Sequence, residues 1–290
     1  MTLGSEPSTL LDRSGYELEV EDRFDQPVLD ERLWIPHFLP QWSSKAASAA
    51  RFDVGGGRLR LRIDADQDSW NPELEPGVRV SSLQTGVWSG PRGSSLGQHH
   101  FRAGLTVSEE QPARALYTPM HGLFELRARA AAVRSAMVAL WMIGFEDQPT
   151  RSAEICVMEI FGRDVSGGEC HVGMGVHPFG DPAITDEFSR DSLAIDATRR
   201  HEYAAQWTSD WVAFYVDERL AKVVRQSPAY PMQVMLSLFD FADTSSPELP
   251  AGARPSAAFE VEWFRGWRRV MDGDGGRPKL AAAGDFHKES

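Results

Sequence analysis

The sequence has only two cysteines, Cys156 and Cys170, in 290 residues. That is too few for a disulfide framework, their spacing fits no thiolate metal motif, and a reduced compartment is the default environment. No stretch approaches the roughly 20 uninterrupted apolar residues of a membrane span, so no membrane partner is expected. Positive charge is scarce too: 30 Lys and Arg stand against 42 Asp and Glu, a formal net charge of −12. That balance argues against a phosphate-neutralising grip on nucleic acid and leaves a neutral polar substrate compatible. The opening MTLGSEPSTLLDRSGYELEV has neither a basic leader nor an apolar run of signal length, so the chain reads as cytoplasmic. No repeat of about 20 to 50 residues recurs, which removes solenoids and propellers. The nucleophile elbow, the P-loop, the dinucleotide glycine turn and the zinc His-Glu-x-x-His motif are all missing, so several common enzyme classes have no foothold.

What is present is period-two alternation, the mark of half-buried strands. It runs through Arg58 to Ile63, Phe124 to Arg129, Val212 to Asp217, Met232 to Phe239 and Phe259 to Trp263. Turn-rich breaks separate such runs at Gly55-Gly56-Gly57, Gly167-Gly168, Gly180-Asp181-Pro182 and Ser245-Ser246-Pro247. Short strands without regularly alternating helices predict an all-β antiparallel sandwich or barrel. The exception is Ala128 to Leu140 (ARAAAVRSAMVAL), whose helix formers admit a helix on propensity alone. The predicted organisation is a flexible N-terminal segment over 1–15, one domain over 16–270 and a flexible tail over 271–290.

The most informative stretch is Ala153 to Gly162 (AEICVMEIFG), where two carboxylates interrupt an apolar strand-like run. Burying such groups is costly unless something offsets it, and that conflict points to function. On a regular strand Glu154 and Cys156 share a face while Glu159 points away, because an offset of five is odd. A one-residue β-bulge between 156 and 159 would return Glu159 to the Glu154 face, with the two Cα atoms roughly 13 Å apart. Side chains leaning inward could then bring the carboxyl groups to the ~5 to 5.5 Å expected of a retaining glycosidase pair. The alternative is a solvent-facing edge strand carrying two ordinary acids. Cys156 reads as a packed small hydrophobe rather than a covalent catalyst. If 154–161 and 170–177 form a hairpin, His177 falls opposite Glu154, and Cys170 lies too far from Cys156 for a disulfide.

The segment Glu154-Ile155-Cys156-Val157-Met158-Glu159 resembles the catalytic signature of glycoside hydrolase family 16, the laminarinase and lichenase group, with Cys156 where the family has its central Asp. Other blocks are similar to that family in order along the chain. They are Glu21 to Trp34 at the opening strand, Tyr117 to Ala130 before the active-site segment, and Ala139-Leu140-Trp141-Met142. Then come His201 to Thr208 with Phe214 to Asp217, and Phe259 to Arg265 at the close. The third block turns the alanine-rich region into strand, loop and strand.

The resemblance implies a concanavalin A-like jelly roll, two packed antiparallel sheets with an open groove for a β-linked polysaccharide or oligosaccharide such as a β-glucan. It implies Glu154 as nucleophile and Glu159 as general acid/base, supported on that strand by Cys156 and His177. His171 is a further hydrogen-bonding candidate. Trp141, Gln206 and Trp207 would contact substrate, while Met137 and Ser237 stand where relatives carry a groove tryptophan and an asparagine. No cofactor is required, but Glu21, Asp22 and Glu262 fall near positions where relatives hold a structural calcium. A monomer is expected, and the family's common secretion conflicts with the absent leader. Two other activities stay open on the same fold: a non-catalytic carbohydrate-binding protein, because of Cys156, and a transglycosylase.

Overall fold

The computed structural model describes residues 6–241 and 255–270. Among these there is no α-helix, and none is long and apolar enough to cross a membrane. The strands in chain order are β1 (Tyr16–Asp22), β2 (Arg51–Val54), β3 (Leu59–Ile63), β4 (Arg79–Gln84), β5 (Gly86–Val87), β6 (Arg114–Ala115), β7 (Gly122–Arg129), β8 (Ala136–Gly144) and β9 (Glu154–Phe161). They continue as β10 (Val165–Ser166), β11 (Glu169–His177), β12 (Glu187–Leu193), β13 (His201–Trp207), β14 (Val212–Val216), β15 (Arg219–Val224), β16 (Met232–Asp240) and β17 (Ala257–Arg269). All five alternating runs fall on strands, with Arg58 and Asp217 just outside β3 and β14. The alanine-rich region is β7, a loop over 130–135, and β8, so the helix reading fails. Tertiary pairing overrides alanine's propensity there, because Ala136, Val138 and Leu140 bury their side chains in the core.

The strands form an antiparallel β-sandwich, the jelly-roll class. One sheet has the order β15-β14-β13-β7-β17-β3-β2 with β1 on β17; the other has β10-β11-β9-β8-β16-β4 with β12 on β11. Between the sheets, Leu59, Leu61, Ile63, Phe124, Phe214, Phe259 and Phe264 meet Val138, Leu140, Ile155, Met158, Val172 and Leu236. Each such side chain contributes roughly 1.5–3 kcal/mol by leaving water.

The seven-stranded sheet is also covered on its far side. Phe38, Leu39, Trp42, Trp70, Leu105 and Val107, all from connecting segments, pack over Val80, Ala139, Trp141, Ile143, Met235 and Phe239. The open groove expected along this face is therefore roofed over β4, β16 and much of β8. This is why β4 and β16 are buried at every residue instead of at alternate ones.

On the side that faces the other sheet, a buried ion pair joins β4 to β16. Arg79 and Asp240 pair directly across the two strands, both with fully buried side chains, at 2.8 Å. Arg79 also donates to the carbonyls of Asp64 (2.7 Å) and Pro255 (2.8 Å), and the Ser135 hydroxyl donates to Asp240 at 2.5 Å.

Residues 6–15, expected as a flexible lead-in, are instead docked. Leu11 N–H donates to the Glu218 carbonyl at 2.8 Å, and Arg13 makes a 2.6 Å ion pair with buried Glu125. The break at Ser245-Ser246-Pro247 and the tail over 271–290 lie outside the described residues.

Candidate active site

Strand β9 carries the two glutamates between β8 and β11. On the β8 side Met158 pairs with Leu140 and Cys156 with Trp141, so Val157 is one residue too many. The same irregularity shows on the β11 side, where Glu159 faces Gly173 and Cys156 faces Gly175. Val157 and Met158 consequently both enter the core, and Glu154, Cys156 and Glu159 share the opposite face. The facing glycines make room. A Cβ at Gly173 would stand 2.6 Å from the Phe188 ring and 3.1 Å from Glu159 Cβ. Gly175 has φ +147, a conformation other residues adopt only with strain.

His177 lies opposite Glu154 in the register, as the hairpin reading expects. Its Nδ1–H donates to the Asp186 carboxylate at 3.0 Å. The Cys156 thiol donates to Glu154 at 2.7 Å. His99 Nδ1 sits 4.0 Å from the other Glu154 oxygen and has no hydrogen-bond partner. Both cysteines are free thiols, and they face opposite sides of the sheet, Cys170 in the core and Cys156 at the site.

Burial sets the electrostatics. It pushes the Glu154 carboxyl up to about 7, against the opposing pull of the Cys156 hydrogen bond and the His177 charge. Burial also raises Glu159, with Arg190, His177 and Arg163 pulling it back down. The Cys156 thiol is raised by burial and then by the two glutamates beside it, so it is neutral. Burial lowers His99 to about 3 and raises Glu146 to about 8. At neutral pH, then, His99 is uncharged and Glu146 is largely protonated, accepting the His99 backbone N–H.

Aromatic side chains border the two acids. His177 lies tilted against Phe188 with ring centroids 4.7 Å apart, and His99 meets exposed Phe179 edge-on at 4.6 Å. On the other flank Phe239 and Phe241 stack at 6.0 Å beside Phe161, over which the Arg163 guanidinium lies at 4.0 Å. Arg190 also lies over Phe161 and is ion-paired with Asp164. Flat apolar faces beside fixed polar groups suit the C–H face and hydroxyls of a sugar ring.

Other residues singled out from the sequence fall elsewhere. Trp141 is beside the catalytic strand, but its ring is 6% exposed beneath Phe38 and His99, with its N–H donating to Ser237. It is floor and not a stacking platform. Trp207 is core in the opposite sheet, packed on His121 and donating to Ser227. Gln206 lies in that same strand and bonds Tyr16 and Tyr215. Neither belongs to this site.

The calcium set does not fit a metal either. Glu21 pairs with Arg265, Glu262 with Arg127 and Arg200, and Asp22 accepts from Trp34 and the Phe24 backbone. Their oxygens are committed to protein donors and do not converge on one point. His171 is exposed at the far end of β11, opposite Ser192. His99, Asp186, Phe179, Phe188 and Arg190 also border the site, and no motif in the sequence marks them. Asp186 alone carried a local cue, as an acid just ahead of a strand; the others lie in segments without a readable period.

The sequence profile described as "Glycosyl hydrolases family 16" matches residues 108–264. No curated protein matches the sequence. Among solved structures, one similar to this chain is a GlcNAcα1-4Gal-releasing endo-β-galactosidase from Clostridium perfringens, with TM-score 0.76 and 24% identity. The likeness covers 91% of this chain and 66% of that one, so this chain spans about two thirds of that relative's length. A laminarinase catalytic domain from Thermotoga petrophila is similar at TM-score 0.60 and 14% identity, over 88% and 99% of the two chains. A structure reported for endo-acting O-glycanases of human gut microbiota, which initiate mucin breakdown, is similar at TM-score 0.57 and 18% identity, over 88% and 100%. With a bulged strand presenting two glutamates on one face of a jelly roll, and the family's profile spanning more than half the sequence, the chain belongs to glycosyl hydrolase family 16.

Proposed function

We propose that this chain is a retaining endo-glycosidase that cleaves a β-linked glycan, with Glu154 as nucleophile and Glu159 as acid/base. The observation that carries the reading is the bulge at Val157, which sets both carboxylates on one face. In the first step ionised Glu154 attacks the anomeric carbon while protonated Glu159 donates to the departing oxygen. In the second, Glu159 takes a proton from water, which displaces Glu154 from the sugar with the anomeric configuration retained. The hydrogen bond from Cys156 supports the charged form of Glu154. Partial exposure of Glu159 leaves it reachable by a leaving group. The roof over β4 and β16 argues for a confined site, and the higher structural similarity to an endo-β-galactosidase favours β-galactosidic glycans over β-glucans.

The test is a glycan panel containing mucin-type O-glycans, β-galactans and laminarin, with the first-formed product anomer read by NMR. Release of a β-anomer from a galactosidic member is expected. An α-anomer, or no cleavage of any member, would overturn the reading.

The titration of Glu154 gives the pH dependence its sign. The nucleophile must be ionised, so kcat/KM rises as pH climbs through about 7. Replacing Cys156 with Ala removes a donor to the carboxylate and should move that rising limb to higher pH, by up to about one unit for about 1.4 kcal/mol of lost interaction. A limb that stays in place would show that the thiol does not stabilise the charge.

A further inference from the structure

We infer that Glu154, Cys156 and His177 form a binding site for a thiophilic divalent cation, Zn2+ being the best match. One donor atom from each residue lies within 4.8 Å of the other two, and among the described residues this is the only such grouping of three. Zinc bonds of about 2.0–2.3 Å place tetrahedral ligands roughly 3.3–3.6 Å apart, so the glutamate and imidazole need to move by about an ångström. A thiol, an imidazole and a single carboxylate suit zinc and disfavour calcium or magnesium, which want oxygen donors.

Two further features point the same way. Asp186 holds His177 through Nδ1, the carboxylate–histidine arrangement that orients a ligating imidazole and raises its basicity. His99 is 7% exposed, and its Nδ1, without a hydrogen-bond partner and 4.0 Å from Glu154, is aimed into the cluster.

Binding exchanges the Cys156 S–H bond for a sulfur–zinc bond and releases to solvent the thiol proton and whatever proton Glu154 still carries, with no change of oxidation state. An occupied site uses the Glu154 lone pair, so zinc would inhibit hydrolysis reversibly. That consequence rests on the proposed glycosidase reading, whereas the binding itself does not.

The experiment titrates the reduced, chelator-stripped full chain with ZnCl2 by calorimetry and with CoCl2 by absorption spectroscopy. One equivalent of metal is expected, with intense tetrahedral cobalt bands and a thiolate-to-cobalt charge-transfer band. The charge-transfer band should vanish in Cys156→Ser and persist in Cys170→Ser, and Asp186→Asn should weaken affinity roughly 10–100-fold. Absence of saturable binding to the wild type, or a charge-transfer band that survives Cys156→Ser, would overturn the inference. The wild-type cobalt spectrum decides the matter alone should Cys156→Ser fail to fold. Binding without glycan cleavage by the metal-free protein would leave the site standing and remove the glycosidase reading.

Discussion

Glu159→Gln should lower kcat/KM on a natural glycan by roughly 10²–10⁴, the range over which a positioned acid/base acts. The amide keeps the shape of the side chain but has no proton of suitable acidity to give, so the alkoxide leaving group departs unaided. On an aryl glycoside with an acidic phenol the first step needs no such help. There Glu159→Gln should form the glycosyl-enzyme in a burst and then stall, because water has lost its base. Glu154→Gln removes the attacking oxygen itself and should show no burst with either substrate. Mass spectrometry of the trapped intermediate separates the two cases. Burst formation by Glu154→Gln, or near-wild-type turnover by Glu159→Gln, would reverse or dismiss the assigned roles. Exposure separates the pair: Glu154 is buried against Cys156, whereas Glu159 is partly exposed and reachable by a leaving group.

Arg79→Met should destabilise the fold by about 3–5 kcal/mol, because it removes the guanidinium that balances the buried carboxylate of Asp240. It also orphans the carbonyls of Asp64 and Pro255. Urea unfolding followed by tryptophan fluorescence gives the value. The double change Arg79→Met with Asp240→Leu should recover much of the loss, since apolar groups of similar volume replace a buried pair at little net cost. A single variant within about 1 kcal/mol of wild type would mean that water reaches the pair.

The strands were readable because each places apolar residues on one parity, and Leu59, Leu61 and Ile63 bear that out by their complete burial. The bulge was readable for a related reason: two acids at an odd offset could share a face only if the ladder slipped by one. What escaped was non-local. The block His201 to Trp207 was legible only through its resemblance to a family strand, and that does not say to which sheet the strand belongs. Pairing of β13 with β7 and β14 settles that, and it puts Gln206 and Trp207 across the sandwich from the acids. Of the carboxylates expected to hold calcium, Glu21 and Glu262 take arginine partners from β7, β17 and Arg200, distant in sequence. The roof was invisible for another reason. Phe38, Trp42, Trp70 and Leu105 sit in turn-rich stretches whose periodicity carries no information about what they cover.

That roof makes the site-bearing sheet the middle of three layers, oily on both sides. Trimming the segments that cap it, in the hope of admitting bulkier or more branched glycans, would uncover the surface formed by Val80, Trp141, Met235 and Phe239. Contiguous bare surface of this kind drives self-association. For this scaffold, substrate breadth and solubility are set against each other, and a redesign would have to replace the excised tryptophans with polar cover before the wider cleft became useful.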